Sequence, residues 1–163
     1  MDERRQAFQK TLVADATEVV RVCLGVNIRL AARRMTRFLE AKMQAADLSV
    51  AQFGLMAHIA AAGDDTIGIL AERSGLDQST LSRNLRGLER DGLIEIAVVE
   101  QDLRRRAVWL TEKGARRLEA AIPVWRRAHT ALAAKVEPGA VRRIAKAAAA
   151  LGGAANSTGS GDE

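Results

Sequence analysis

The sequence predicts a mostly α-helical chain that carries one small antiparallel β-hairpin, and three observations predict it. Apolar residues make up 48% of the 163 positions, yet aromatics make up only 3% and tyrosine is absent. A globular chain dominated by Ala and Leu favours helices over a β-sandwich. A helical apolar period runs through residues 15–46 without a proline. One stretch alone, residues 93–110, is apolar and β-branched on both sides of an arginine-rich tip, as a hairpin requires. The length suits one ordinary domain with one core.

The first helix is read from its stripe. Val19, Val22, Cys23, Val26 and Leu30 fall at i, i+3, i+4, i+7 and i+11, and Met35, Phe38, Leu39 and Met43 continue the face. Gly25 is its weak point. A helix of this length cannot bury its face in a small domain, so the C-terminal helices or a second subunit must cover it. Residues 1–14 precede it as an arm.

Ser49 and Gln52 have the spacing of a capping box and open a second helix to about Ala62, with Phe53, Met56, Ala57 and Ile59 apolar. Gly63-Asp64-Asp65 breaks it, and Asp65 or Thr66 caps a short helix over residues 67–74. Gly75 follows as a C′ glycine. Asp77 caps a helix over 78–91 whose Leu81, Leu85 and Leu88 face inward, and Gly92 ends it. A strand over 93–99, a tip over 100–106 and a return strand over 107–110 come next. Thr111 caps a long helix to about Lys135, which Pro123 should kink. Glu137-Pro138 starts the last helix, with proline near N1. From Gly152 the tail is Gly/Ser-rich and is expected to be disordered.

Short helix, turn, longer helix and two strands with an arginine-rich tip are the order of a winged helix-turn-helix. That unit places a helix in one DNA groove and a loop in the next. The predicted organisation is therefore a winged helix-turn-helix over 49–110, a helical dimerisation region from 15–48 and 111–151, and a tail over 152–163. The formal charge is +5 and the pI about 10.1, which suits a polyanionic partner. Net charge does not mark the reading surface, however. Residues 111–147 hold nine Lys/Arg against three acids, while residues 78–106 hold six Arg against five acids.

Other classes find no support. Cys23 is the only cysteine, so no intramolecular disulfide forms. No apolar run approaches ~20 residues, and MDERRQAFQK lacks a signal-peptide core. A soluble protein of the reducing cytoplasm is expected. Two histidines and one cysteine far apart make no metal site. No phosphate-binding glycine loop or nucleophile elbow is present. No enzyme and no cofactor is implied.

The chemistry lies in the second helix of the turn and in the tip. Gln78, Ser79, Thr80, Ser82 and Arg83 present small hydrogen-bonding side chains and one guanidinium on an exposed face. Small residues let the backbone approach a groove, and Arg binds guanine O6/N7 bidentately. Arg86, one turn on, reaches base or backbone. At the tip, Asp102, Arg104, Arg105 and Arg106 suit the minor groove, where negative potential concentrates. Asp102 and Arg104 share a side of an extended segment, so the carboxylate can brace the guanidinium.

These motifs resemble those of MarR-family transcriptional regulators over roughly residues 20–150. The likeness rests on LAERSGLDQSTLSRNLRGLERDGLI and on Asp102-x-Arg104-x-Arg106-x-Val108-x-Leu110-Thr111-x-x-Gly114, with Leu48-Ser49-x-x-Gln52-Phe53-x-Leu55 matching the family's second helix. The resemblance implies an obligate homodimer with intertwined terminal helices and two lobes bound to a pseudo-palindromic operator on double-stranded DNA. It also implies repression relieved by a small aromatic or anionic effector bound between dimer helices and lobe. Gly87 departs from the pattern, where members often carry a larger residue. So does the spread of Lys and Arg through the dimer helices.

Asn27, Arg33, His58 and Trp109 are the candidates for lining an effector site. Each also has a plainer reading: a solvated helix face for Asn27 and Arg33, a structural histidine for His58, and lobe core for Trp109. Trp125 is expected to pack at the dimer helices. Cys23 raises a redox-sensing alternative, but its place on the apolar stripe argues for burial and a raised pKa. A winged-helix protein-interaction module is the other alternative, and the tip discriminates. A protein-binding wing has no need of Asp-x-Arg-x-Arg.

Overall fold

Local capping chemistry builds the lobe from the sequence outward. The computed structural model describes residues 2–62, 67–99 and 102–152. Ser49 Oγ accepts from the Gln52 amide at 3.1 Å and Gln52 Oε1 accepts from the Ser49 amide at 3.0 Å. This reciprocal box starts helix α3, Val50–Ala62. Helix α4, Ile67–Ser74, ends at Gly75 with φ +62°, a left-handed value that favours glycine. Helix α5, Gln78–Arg90, starts on Asp77. It ends in a Schellman motif: the Leu93 amide donates to Leu88 O and the Gly92 amide to Glu89 O, both at 2.9 Å. Gly92, at φ +68°, supplies the turn.

Two strands follow, β1 (Ile94–Val99) and β2 (Asp102–Leu110). They pair antiparallel with Ile94 opposite Leu110, Glu95 opposite Trp109 and Ile96 opposite Val108. Period two puts Ile94 and Val108 into the core and Glu95 and Trp109 outside. The return strand is longer than the expected 107–110 and takes in the backbone of the arginine run. The expected cap at Asp65 or Thr66, the apex at Glu100 and Gln101, and the tail beyond Gly152 lie outside the described residues.

Helix α6, Glu112–Ala133, begins on Thr111, whose Oγ1 accepts from the Gly114 amide at 2.9 Å and donates to Gly92 O at 2.7 Å. A Cβ at Gly114 would overlap the Leu93 carbonyl oxygen. The last two conspicuous letters of the wing motif, Thr111 and Gly114, thus weld the sheet to α6 by close backbone approach. The helix passes through Pro123 and does not stop there. Glu137 Oε2 accepts from the Ala140 amide at 2.8 Å at the head of α7, Pro138–Gly152.

The N-terminal region differs from expectation. Residues 2–14 are helical, and the single helix expected over 15–46 is two: α1 (Asp2–Val22) and α2 (Leu24–Met43), followed by a short 3-10 turn, Gln44–Ala46. Cys23 between them is extended, with ψ 112°. Asn27 Nδ2 donates to Arg21 O and Cys23 O, each at 3.1 Å, and so satisfies carbonyls at the break. α2 then packs along α6. Arg117 of α6 donates to Asp47 Oδ2 at 2.8 Å and Asp47 O at 3.2 Å. This clasp holds the α2–α3 corner, where Asp47 adopts the left-handed φ of 52°.

The core lies in the lobe and along α6. Leu70, Leu81, Leu85, Leu88, Leu93, Ile94 and Val108 join Leu55, Met56, Ile59 and Leu118 in one cluster. Among the described residues no single helix is long and apolar enough to cross a membrane.

Candidate nucleic-acid interface

The surface of α5 follows from its core side. Leu81, Leu85 and Leu88 anchor one stripe, so Gln78, Ser79, Arg83 and Arg86 stand exposed on the other, with Thr80 and Ser82 half-buried beside them. Helix α5 packs against α3 and β1, so the hairpin stands beside it. Arg106 is exposed on β2. The side chains of Asp102, Arg104 and Arg105 lie outside the described residues, so the expected brace between Asp102 and Arg104 is not described here. A Cβ at Gly87 would meet nothing within 4 Å, so packing within the chain does not require glycine there.

Asp77 organises the head of α5 more closely than its sequence role as a cap suggested. Its Oδ1 accepts from the Thr80 amide at 2.8 Å and from Ser79 Oγ at 2.6 Å, and its Oδ2 accepts from Thr80 Oγ1 at 2.7 Å. The Ser79 hydroxyl, then the Thr80 amide and hydroxyl, hold the carboxyl well below the usual carboxylate range. It is therefore ionised and can only accept. Capping was legible from Asp77-x-x-Thr80. The capture of both hydroxyls was not.

The candidate effector residues do not converge. Asn27 spans the α1–α2 break, Arg33 lies with Arg29 along a shallow groove on α2, and His58 is exposed on α3. Trp109, expected in the lobe core, is instead 37% exposed on the outer face of the hairpin, where its Nε1 donates to Glu95 Oε2 at 3.1 Å. Register places it opposite Glu95, and the inward positions belong to Ile94 and Val108. Cys23, expected on a buried stripe, is half-buried in the single chain, where its stripe neighbours Val19 and Val22 are exposed.

A different cleft, of about 200 Å³, lies between α2, α6 and α7 and is lined by Met35, His129, Leu132, Val136, Val141 and Arg142. The sequence reading missed His129 and Arg142. The i, i+4 pair Trp125 and His129 was the available signal. Their rings lie 5.1 Å apart, and Trp125 in turn stacks on Phe53 at 5.8 Å. Trp125 thus packs within its own chain. Among the described residues no group of three or more His, Cys, Asp or Glu is placed to hold a metal.

A helix presented by a helix-turn-helix beside a two-stranded hairpin, carried on long terminal helices, defines a winged helix-turn-helix protein. The MarR family model matches residues 46–105. The DNA complex of the Mycobacterium tuberculosis transcriptional regulator MosR is 31% identical, covering 82% of this chain and 98% of its own, with a TM-score of 0.73. A mutant of E. coli MarR complexed with operator DNA is 24% identical over 80% of this chain and 96% of its own, with a TM-score of 0.70. Streptomyces coelicolor PcaV, in complex with its natural ligand, is 23% identical over 79% of this chain and 96% of its own, with a TM-score of 0.67. No curated protein sequence matches the chain. The chain belongs to the MarR family, whose members are transcription regulators and not enzymes.

Proposed function

We propose that this regulator binds a pseudo-palindromic DNA operator as a homodimer, represses transcription from it, and is released by a small aromatic or anionic effector. The observation that carries the DNA reading is the two-sided α5. Leu81, Leu85 and Leu88 fix one face in the core, and Gln78, Ser79, Arg83 and Arg86 are left exposed on the other. In the proposed complex α5 enters the major groove. Arg83 and Gln78 contact bases, and Ser82 and Arg86 contact base or backbone. Arg104, braced by Asp102, enters the minor groove, and Arg105 or Arg106 binds phosphate. The DNA-bound state of MosR, a 31% identical relative, supports the same use here.

Dimerisation is supported by the apolar residues that the terminal helices leave exposed, among them Val20, Leu24, Ile28, Leu30, Val141 and Ile144. Contiguous exposed apolar surface marks an interaction site. In this reading residues 49–110 form the DNA-binding unit, and 15–48 with 111–151 form the dimerisation region. The α1 helix extends that region toward the N-terminus. The effector part is supported by the PcaV complex with its natural ligand and by an apolar cleft edged with Arg142.

Selection of bound sequences from a random duplex pool, repeated at two salt concentrations, tests the proposal. The expected result is a palindrome with half-sites about 10 bp apart and an affinity that falls by roughly 0.9 log units per phosphate contact for each log unit of salt. A pool that yields no enriched sequence overturns it.

A further inference from the structure

Gly87 stands inside α5, where glycine destabilises a helix relative to alanine. Among the described residues neither conformation nor packing asks for it. Its φ lies outside the left-handed region, and a Cβ there would meet nothing within 4 Å. Leu81, Leu85 and Leu88 set the buried face of the helix. At about 100° per residue, Arg83 and Arg90 fall nearly opposite that face, and Gly87 falls on the flank about 120° from it. Arg83 and Arg90 are i−4 and i+3 from Gly87, so both are its neighbours on the helix surface, and both are exposed. The Arg90 side chain is 79% exposed, and its Nε lies 3.5 Å from Asp91 Oδ1. A pair this exposed is weak, and it leaves the two Nη groups of Arg90 to an outside acceptor.

The dimensions of a groove give that acceptor a place. A helix about 10–12 Å across nearly fills a major groove about 12 Å wide. Its outer face then meets the base edges, and its flanks meet the walls, which are sugar–phosphate backbone. Gly87 lies about 13 Å along the axis from Gln78, beyond the groove depth of about 8.5 Å. A helix that enters head first crosses the groove rim there. We infer that Gly87 and Arg90 form a seat for one DNA phosphodiester at the rim of the major groove. The bare backbone at Gly87 lets the strand approach closely, and Arg90 holds its phosphate. Gly87 is a positioning residue, because the approach it permits sets how deep α5 sits and so whether Arg83 reaches a base edge. The inference rests on the DNA-binding reading of α5 and carries the contact surface one turn beyond Arg86.

The test uses the full chain and the operator obtained by selection, with Gly87→Ala, Gly87→Leu and Arg90→Ala beside the wild type. Gly87→Ala should raise the thermal midpoint by about 2–4 °C and yet weaken operator binding by about tenfold, as an overfilled contact does. Gly87→Leu should weaken it further. Arg90→Ala should weaken all duplexes alike and lower the salt slope by about 0.9 for each half-site. Single phosphates of the operator are then neutralised as methylphosphonates. One position per half-site should cost the wild type about tenfold and Arg90→Ala less than about twofold. A lower midpoint in Gly87→Ala would show that the fold itself needs the glycine, and would overturn the inference. Full operator affinity in Gly87→Ala, or equal losses on neutralisation in wild type and Arg90→Ala, would overturn it while leaving DNA binding in place. A wild type that enriches no duplex overturns the DNA reading and this inference together.

Discussion

In the winged lobe Leu70, Leu81, Leu88, Ile94 and Val108 are sealed from solvent by the chain itself, whereas Val20, Leu24, Ile28 and Ile144 on α1, α2 and α7 stand at least half exposed. Leu24 is 77% exposed. The two regions have the same kind of amphipathic sequence. They differ in whether a second surface comes from nearby in the chain. Around α5, helix α3 and strand β1 close over the leucines within the lobe. The terminal helices leave these apolar residues open in the single chain. A strong stripe therefore does not tell whether the chain itself covers that face.

The comparison can be broken first at the lobe. Leu88→Ala removes a fully buried side chain and should destabilise the fold by about 2–5 kcal/mol, read as a lower denaturation midpoint at unchanged slope. A loss below ~1 kcal/mol would mean the lobe core is not closed as described. At the terminal helices the outcome should be different in kind. Ile144→Asp should leave lobe structure intact by circular dichroism but weaken self-association by at least about 2 kcal/mol, seen in sedimentation equilibrium. An unchanged dimer would remove α7 from the proposed interface.

On the reading face, Arg83→Ala should cost about 1–3 kcal/mol of operator affinity and relax one position per half-site. A uniform loss across all duplexes would make Arg83 a phosphate contact. The smallest effect is expected at Cys23, half-buried at the α1–α2 break. Cys23→Ser should release operator DNA with peroxide no differently from the wild type in a mobility-shift titration. Release by peroxide that disappears in Cys23→Ser would instead establish the thiol as a sensor.

Much of the lobe was legible because its signals act over four residues or fewer. Ser49 with Gln52, Asp77 with Thr80, Gly92 after α5 and Thr111 with Gly114 each satisfy backbone groups at a helix end, and each appears in the structure where its spacing put it. The break at Cys23 escaped because a side chain, Asn27, reached back to the carbonyls of Arg21 and Cys23. An apolar period is blind to that competition. Trp109 escaped for another reason. Hydrophobic bulk suggested core, but strand register put it opposite Glu95 on the outer face.

By itself the sequence determined the order of elements from α3 onward, the helix ends within the lobe, the inward leucines of α5 and the family, because hydrogen-bond capping and side-chain periodicity are set by near neighbours. Tertiary structure alone decided which hydroxyl hydrogens Asp77 had already taken, that Gly114 must clear the Leu93 carbonyl, that Trp125 stacks between Phe53 and His129, and which apolar faces the monomer leaves open. Those outcomes depend on the atoms that arrive from elsewhere in the fold. Residue type limits what a side chain can donate, accept or bury, and position decides which of these it does.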